Sequence, residues 1–111
     1  MKANEIIEKL QLKAITGQKN LDVEVTGGYT SDLLSDVIAN SKEGNLWITL
    51  QTHQNITAVA KLKDLAGIII VNNREPDEDT IKKANEENVP ILCTDKSAFE
   101  ISGKLYELIF A

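Results

Sequence analysis

Four short polar stretches hold the side chains of this sequence that could recognise or transform a ligand. They are Thr26-Gly27-Gly28-Tyr29, Ser31-Asp32, Thr52-His53-Gln54-Asn55 and Asn72-Asn73. Gly27 and Gly28 either let backbone N–H groups approach a phosphate or carboxylate, or form a tight turn at positive φ. The stretch lacks the Gly-Lys-Ser/Thr ending of a P-loop and the spacing of a dinucleotide fingerprint. His53 is the single histidine, so no second imidazole completes a metal pair with it. It could act as a general base or accept a phosphoryl group, but no nucleophile stands near it in sequence, and a solvent-facing loop position is the simpler account. Cys93 lies in an apolar run and reads as a small core residue. Asp32 and Asp36, one helical turn apart, could hold a divalent cation; as like charges they more simply face water. No nucleophile, base and orienting group come together, so neither an enzyme nor a resident cofactor or metal is expected.

The elements that must position these residues centre on Asn45–Asn73. Leu46, Trp47, Ile48 and Leu50 form one apolar, β-favouring run, and Gly67–Val71 forms another. Between them Ile56, Val59, Leu62 and Ala66 recur at helical spacing, with Asn55 as the expected N-cap and Gly67 as the expected left-handed stop. Two such strands joined by a helix-length crossover read as a βαβ unit with parallel strands. Ahead of it, Ala3–Leu10 reads as a helix and Leu12–Ile15 as a strand. Leu21–Val25 alternates as a half-exposed edge strand, Thr26–Thr30 breaks the pattern, and a helix capped by Ser31 runs to Asn40. After it come a polar connector, a helix from Asp77 to about Asn88, the strand Ile91–Cys93, and a last helix capped by Ser97 with Glu100 at the capping-box position. Its apolar end, Leu105–Phe110, either packs fully or leaves Tyr106, Ile109 and Phe110 as a partner surface, with self-association the commonest case. The resulting order, α-β-β-α-β-α-β-α-β-α, predicts an α/β fold: a three-layer α/β/α sandwich around a mixed, mainly parallel sheet of about five strands.

Bulk properties narrow the function classes. A chain of 111 residues reads as a single domain over 1–111, long enough to build a core without staples. A net charge of −5, with lysines scattered among acids, argues against nucleic-acid binding. One cysteine excludes an intramolecular disulfide. No apolar segment follows Lys2, so neither a signal peptide nor a membrane span is expected, and the expected location is the cytoplasm.

The run VTGGYTSDLLSDVIAN, followed by GNLWITLQTHQNITAVAKLKDLAGIIIV, resembles the DRTGG domain family, named for a five-residue signature. Thr26, Gly27 and Gly28 match its last three positions; Glu24 and Val25 stand where the family has Asp and Arg. Ser35, Asp36, Trp47, Thr52, His53, Asn55 and Ile56 extend the resemblance. It implies a fold similar to the N-terminal domains of HPr kinase/phosphorylase and of the Mur ligases, and a regulatory or ligand-binding role beside CBS domains or in phosphotransacetylases. In the Mur ligases the similar domain holds a uridine nucleotide. Free-standing chains of this kind resemble proteins found near HPr-kinase-like and hydrogenase-related genes, mostly in anaerobic bacteria.

Ligands of open parallel sheets collect beyond the carboxyl ends of the strands. The expectation is therefore a non-catalytic sensor that binds a small anionic metabolite or nucleotide between Thr26–Ser31 and Thr52–Asn55, flanked by Asp32, Asn72 and Asn73, and acts as a homodimer. The alternative is a docking module for an HPr-kinase-like or hydrogenase-related protein, using the last helix.

Overall fold

A computed structural model describes all residues, Met1–Ala111. The elements are α1 (Ala3–Leu10), β1 (Lys13–Thr16), a 3-10 turn (Gln18–Asn20), β2 (Gly27–Thr30), α2 (Leu34–Asn40), β3 (Asn45–Thr49), α3 (Asn55–Leu62), β4 (Gly67–Ile70), α4 (Glu78–Glu86), β5 (Ile91–Cys93) and α5 (Ala98–Phe110). The sheet order is β1-β5-β4-β3-β2. β2, β3, β4 and β5 are parallel, and β1 joins β5 antiparallel. The mixed, mainly parallel three-layer fold expected from the sequence is the one found.

Side-chain alternation along the strands divides the core in two. Leu46, Ile48, Ile69, Val71 and Leu92 face α1 and α5, whose Ile6, Leu10, Ile101 and Leu105 bury against them. Trp47, Ile68, Ile70 and Ile91 face the opposite layer, where Val37, Ile56, Val59 and Ala84 project from α2, α3 and α4. Each fully buried Ile or Leu contributes roughly 1.5–3 kcal/mol by leaving water. The central strands β3 and β4, covered on both faces, are therefore apolar throughout rather than alternating.

The expected βαβ unit forms, with Trp47 beside Ile68 and Ile48 beside Ile69 in parallel register. Its helix boundaries differ in detail. Gln54 is the N-cap and Asn55 the first helical residue. The left-handed residue is Asp64 at φ +52°, and Gly67 opens β4. Leu62 is exposed.

The largest departure lies upstream. Leu21–Val25, expected as the edge strand, runs beside the N-terminal segment: Ala3 N–H donates to Val23 O at 3.0 Å, Asn4 N–H to Leu21 O at 2.8 Å and Val25 N–H to Met1 O at 2.9 Å. The edge strand is instead Gly27–Thr30, the stretch whose glycines argued for a turn. Glycine is weak in strands because it brings no side chain to pack. Here α5 lies so close that a Cβ on Gly28 would stand 2.8 Å from Leu105 Cδ2, so the missing side chain is what admits the helix. Ser31 does not cap α2, which begins at Leu34 after Leu33; its Oγ accepts from Leu33 N–H at 3.2 Å within the preceding turn.

Gly17 meets a harder constraint. Its φ is +64°, and a Cβ there would lie 2.4 Å from the backbone nitrogen of Pro90. Gly28→Ala meets the movable end of a leucine and should cost about 1–3 kcal/mol. Gly17→Ala meets backbone at a left-handed φ and should cost roughly 3 kcal/mol or more. Urea denaturation of both variants checks the order; equal losses would contradict it.

Candidate functional site

The polar strand ends do not form one site. Gly27 pairs with Asn45, so Thr26, Gly27 and Gly28 lie at the amino end of the sheet. Thr52–Asn55 follow the carboxyl end of β3, the length of a five-residue strand away, roughly 16 Å. The structure groups Ser31, Asp32, Thr52, His53, Gln54, Asn55, Asn72 and Asn73 at the carboxyl rim and leaves the Thr-Gly-Gly stretch at the opposite one.

At the carboxyl rim the polar groups largely satisfy each other. Asp32 Oδ1 accepts from Thr49 Oγ1 at 2.9 Å and Leu50 N–H at 2.7 Å, while Gln51 Nε2 donates to Asp32 O at 2.9 Å. Trp47 Nε1 donates to Ser31 O at 2.8 Å. Thr52 O accepts from Asp77 N–H at 3.1 Å and Thr80 Oγ1 at 2.7 Å, tying the β3 loop to the start of α4. His53 Nδ1 accepts from Asn55 N–H at 3.2 Å, and His53 O and Gln54 O take Ile56 and Thr57 N–H. The amides of the first α3 turn, which a free helix start would offer to an anion, are thus engaged within the loop. Asn72 and Asn73, at φ +61° and +58°, form a type I′ turn closed by Arg74 N–H to Val71 O at 3.3 Å.

Three of the molecule's five concavities are the most developed, and they lie at the margins of the sheet. One of about 520 Å³ at the amino rim is lined by Glu24, Glu43, Asp64 and Glu87 against a single Lys61. One of about 310 Å³ beyond β5 sets Lys13 and Arg74 beside Glu75 and Asp95. The third, about 410 Å³, is a groove between the free edge of β2 and α5. Thr26, Gly27, Gly28, Tyr29 and Thr30 form one wall and Leu105, Tyr106, Ile109 and Phe110 the other, with Lys42 and Asn45 at one end. No carboxylate lines this groove, and Lys42 is its one charged side chain.

Hydrogen bonds hold both walls. Thr30 Oγ1 and Ser102 Oγ lie 2.7 Å apart, pinning α5 to β2. Thr26 Oγ1 donates to Glu43 O at 2.8 Å and accepts from Asn45 Nδ2 at 3.2 Å. The rings of Tyr106 and Phe110 stand 5.1 Å apart, tilted by 47°. Both are well exposed, at 66% and 58%. The sequence marks Tyr106, Ile109 and Phe110 as an apolar excess; Lys42, Asn45 and Ser102 carry no ligand signal until the strand and helix meet.

Residues 5–108 match the DRTGG domain family. The chain belongs to that family. Its fold is similar to the crystal structure of the CBS and DRTGG domains of the regulatory region of Clostridium perfringens pyrophosphatase, complexed with the activator diadenosine tetraphosphate. The TM-score is 0.71 at 15% identity, covering 92% of this chain and 44% of that one, so this chain spans less than half of that region. No curated protein matches the chain. In this DRTGG domain, Gly27 and Gly28 of the signature lie where α5 crosses the edge strand. Val25, where the family signature has Arg, is buried among α1 and α5 residues, and Glu24 pairs with the N-terminal amine. No helix is long and apolar enough to cross a membrane.

On the other face of β2, Tyr29 Oη donates to Asp36 Oδ1 at 2.8 Å, as does Asn40 Nδ2 at 2.8 Å. Hydrogen bonds from Ser31, Tyr29 and Asn40 hold the Asp36 carboxyl below its usual range. The bond to Asp36 in turn pushes the Tyr29 phenol above its usual value. Asp36 is depressed, so its contribution to stability exists above the ordinary carboxylate pKa and is lost as pH falls through the folded value. Tyr29 is raised, so its contribution exists below the ordinary phenol pKa and is lost as pH rises through the folded value. Asp36→Asn should therefore move the Tyr29 titration to lower pH, read by phenolate absorbance or ring carbon shifts. An unmoved titration would show that the bond is not formed in solution.

Proposed function

We propose that this DRTGG domain is a non-catalytic regulatory module that binds a small anionic metabolite or nucleotide in the β2–α5 groove, and that it is a cytoplasmic homodimer whose population the ligand shifts. One observation carries the placement. On a chain of net charge −5, the β2–α5 groove is the one of these three concavities without a carboxylate in its lining, and it offers Lys42 instead. An anion meets the least repulsion there. A planar base can lie on the exposed Tyr106 and Phe110 rings, while phosphate oxygens reach Lys42 and the open backbone of the glycine edge. The bound diadenosine tetraphosphate of the Clostridium perfringens regulatory region supports nucleotides as the first class to test. The groove's polar groups are hydroxyls, amides and one ammonium, with no base held against a nucleophile, which supports binding without turnover.

The exposed rings favour a second reading, a docking module for an HPr-kinase-like or hydrogenase-related partner. Phe110→Asp would then abolish capture of that partner, while Lys42→Ala would leave it intact.

Thermal shift with adenine and uridine nucleotides, diadenosine tetraphosphate and inorganic phosphate tests the ligand reading. At least one compound should raise Tm, since a ligand at a hundred times its Kd adds about 2.7 kcal/mol of stability. Lys42→Ala should reduce the rise, and Lys61→Ala, in the acidic amino-rim concavity, should not. No rise with any compound at millimolar concentration would remove this reading.

A further inference from the structure

The two edges of the sheet are unlike. β1 begins at Lys13 and carries a register shift between Ala14 and Thr16. A bulge and a terminal lysine are devices that blunt an edge against pairing. β2, with the sequence Gly-Gly-Tyr-Thr, has no bulge against β3, no proline and no charge. Ser31 N–H donates to Ile48 O at 3.1 Å, and this sets the alternation along the strand. The N–H and C=O groups of Gly28 and Thr30 therefore point away from β3. Both residues are exposed, and their side-chain positions face α5, against Leu105 and Ser102.

We infer that this edge takes the β2 strand of a second copy, antiparallel about a two-fold axis at Tyr29, joining two five-stranded sheets into one of ten. The inference rests on the homodimer reading above and gives it a surface. An isologous contact must be self-complementary, and this one is. Setting Gly28 opposite the second copy's Thr30 pairs every outward N–H and C=O of both strands, and brings the two Tyr29 side chains together as a cross-strand pair. Gly28, lacking a side chain, leaves room for the threonine facing it.

The groove side of this edge is free of acidic side chains, and exposed apolar side chains flank it. Two copies of net charge −5 repel in general, but no carboxylate lines the groove beside this edge, so contact here sets no carboxylates of its walls against each other. A lasting interface takes on the order of 800 Å² from each partner. Tyr106 and Phe110 expose more than half of their surface, roughly 250 Å² together at about 200 Å² per aromatic side chain. The strand backbone adds to this, as do the exposed Leu33, which precedes α2, and Ile38 within it, the helix whose Asp36 bonds Tyr29.

A strand laid about 4.8 Å from β2 crosses the mouth of the groove. Partner and ligand then exclude each other, and ligand binding is read as dissociation. Sedimentation equilibrium and amide hydrogen exchange on the full chain, without ligand, test the pairing. The mass should rise from 12.2 kDa to twice that value with concentration. The Gly28 and Thr30 amides should gain protection in step, and Tyr106→Lys with Phe110→Lys should weaken association at least tenfold with the circular dichroism spectrum unchanged. A monomer at every concentration would overturn both the pairing and the homodimer. A dimer whose Gly28 and Thr30 amides still exchange freely would overturn the pairing alone. Adding diadenosine tetraphosphate should lower the mass; a compound that raises Tm and leaves mass and protection unchanged would overturn the exclusion. A protected dimer that no nucleotide stabilises would keep the pairing and remove the ligand placement.

Discussion

Each parallel strand after β2 is laid on the same side of the one before it, and the rest of the molecule follows from that. Right-handed crossovers repeated in one direction return every connecting helix to the same face. α2, α3 and α4 therefore share a layer, and the opposite face is left to α1 and α5, which enter from the two ends of the chain. The apolar strands β3 and β4 sit between the layers because only there are both of their faces covered.

The same constraint explains where concavities do and do not form. The crevice at the carboxyl ends of an α/β sheet opens where the strand order reverses and adjacent helices depart to opposite faces. From β2 to β5 the order never reverses. Beyond β3 the carboxyl rim is accordingly closed by its own hydrogen bonds, those of Asp32, Thr52 and His53, and the β2–α5 groove opens at the lateral edge, where α5 overlies β2.

The glycines of the family signature acquire a packing role in this arrangement. Gly28 sits under Leu105, Gly27 has Phe110 nearby, and Thr26 bonds across to Glu43 and Asn45 at the start of β3. The bare backbone that lets the helix approach also leaves an edge without side chains to shield it. Close helix packing and an open edge are two results of the same residues.

Much of this was legible in local pattern. The runs at Trp47, Ile69 and Leu92, the helical spacing from Ile56 to Val59, and Ser97 as the cap whose Oγ accepts from Glu100 N–H all read correctly, because they depend on contacts within a few residues or on apolar runs that must be buried. Element order and class followed. What the sequence alone could not determine was which of two neighbouring stretches forms the edge strand. Leu21–Val25 has the alternation of a strand, but its backbone groups are taken by the N-terminal segment, whereas Gly27–Thr30, weakened as a strand by its two glycines, becomes one where α5 packs on it. The separation of Thr26–Gly28 from Thr52–Asn55 was decided by the same placement. Propensity is a property of neighbours along the chain; register, edges and rims depend on partners some 15 to 80 residues away, and only the folded chain brings those together.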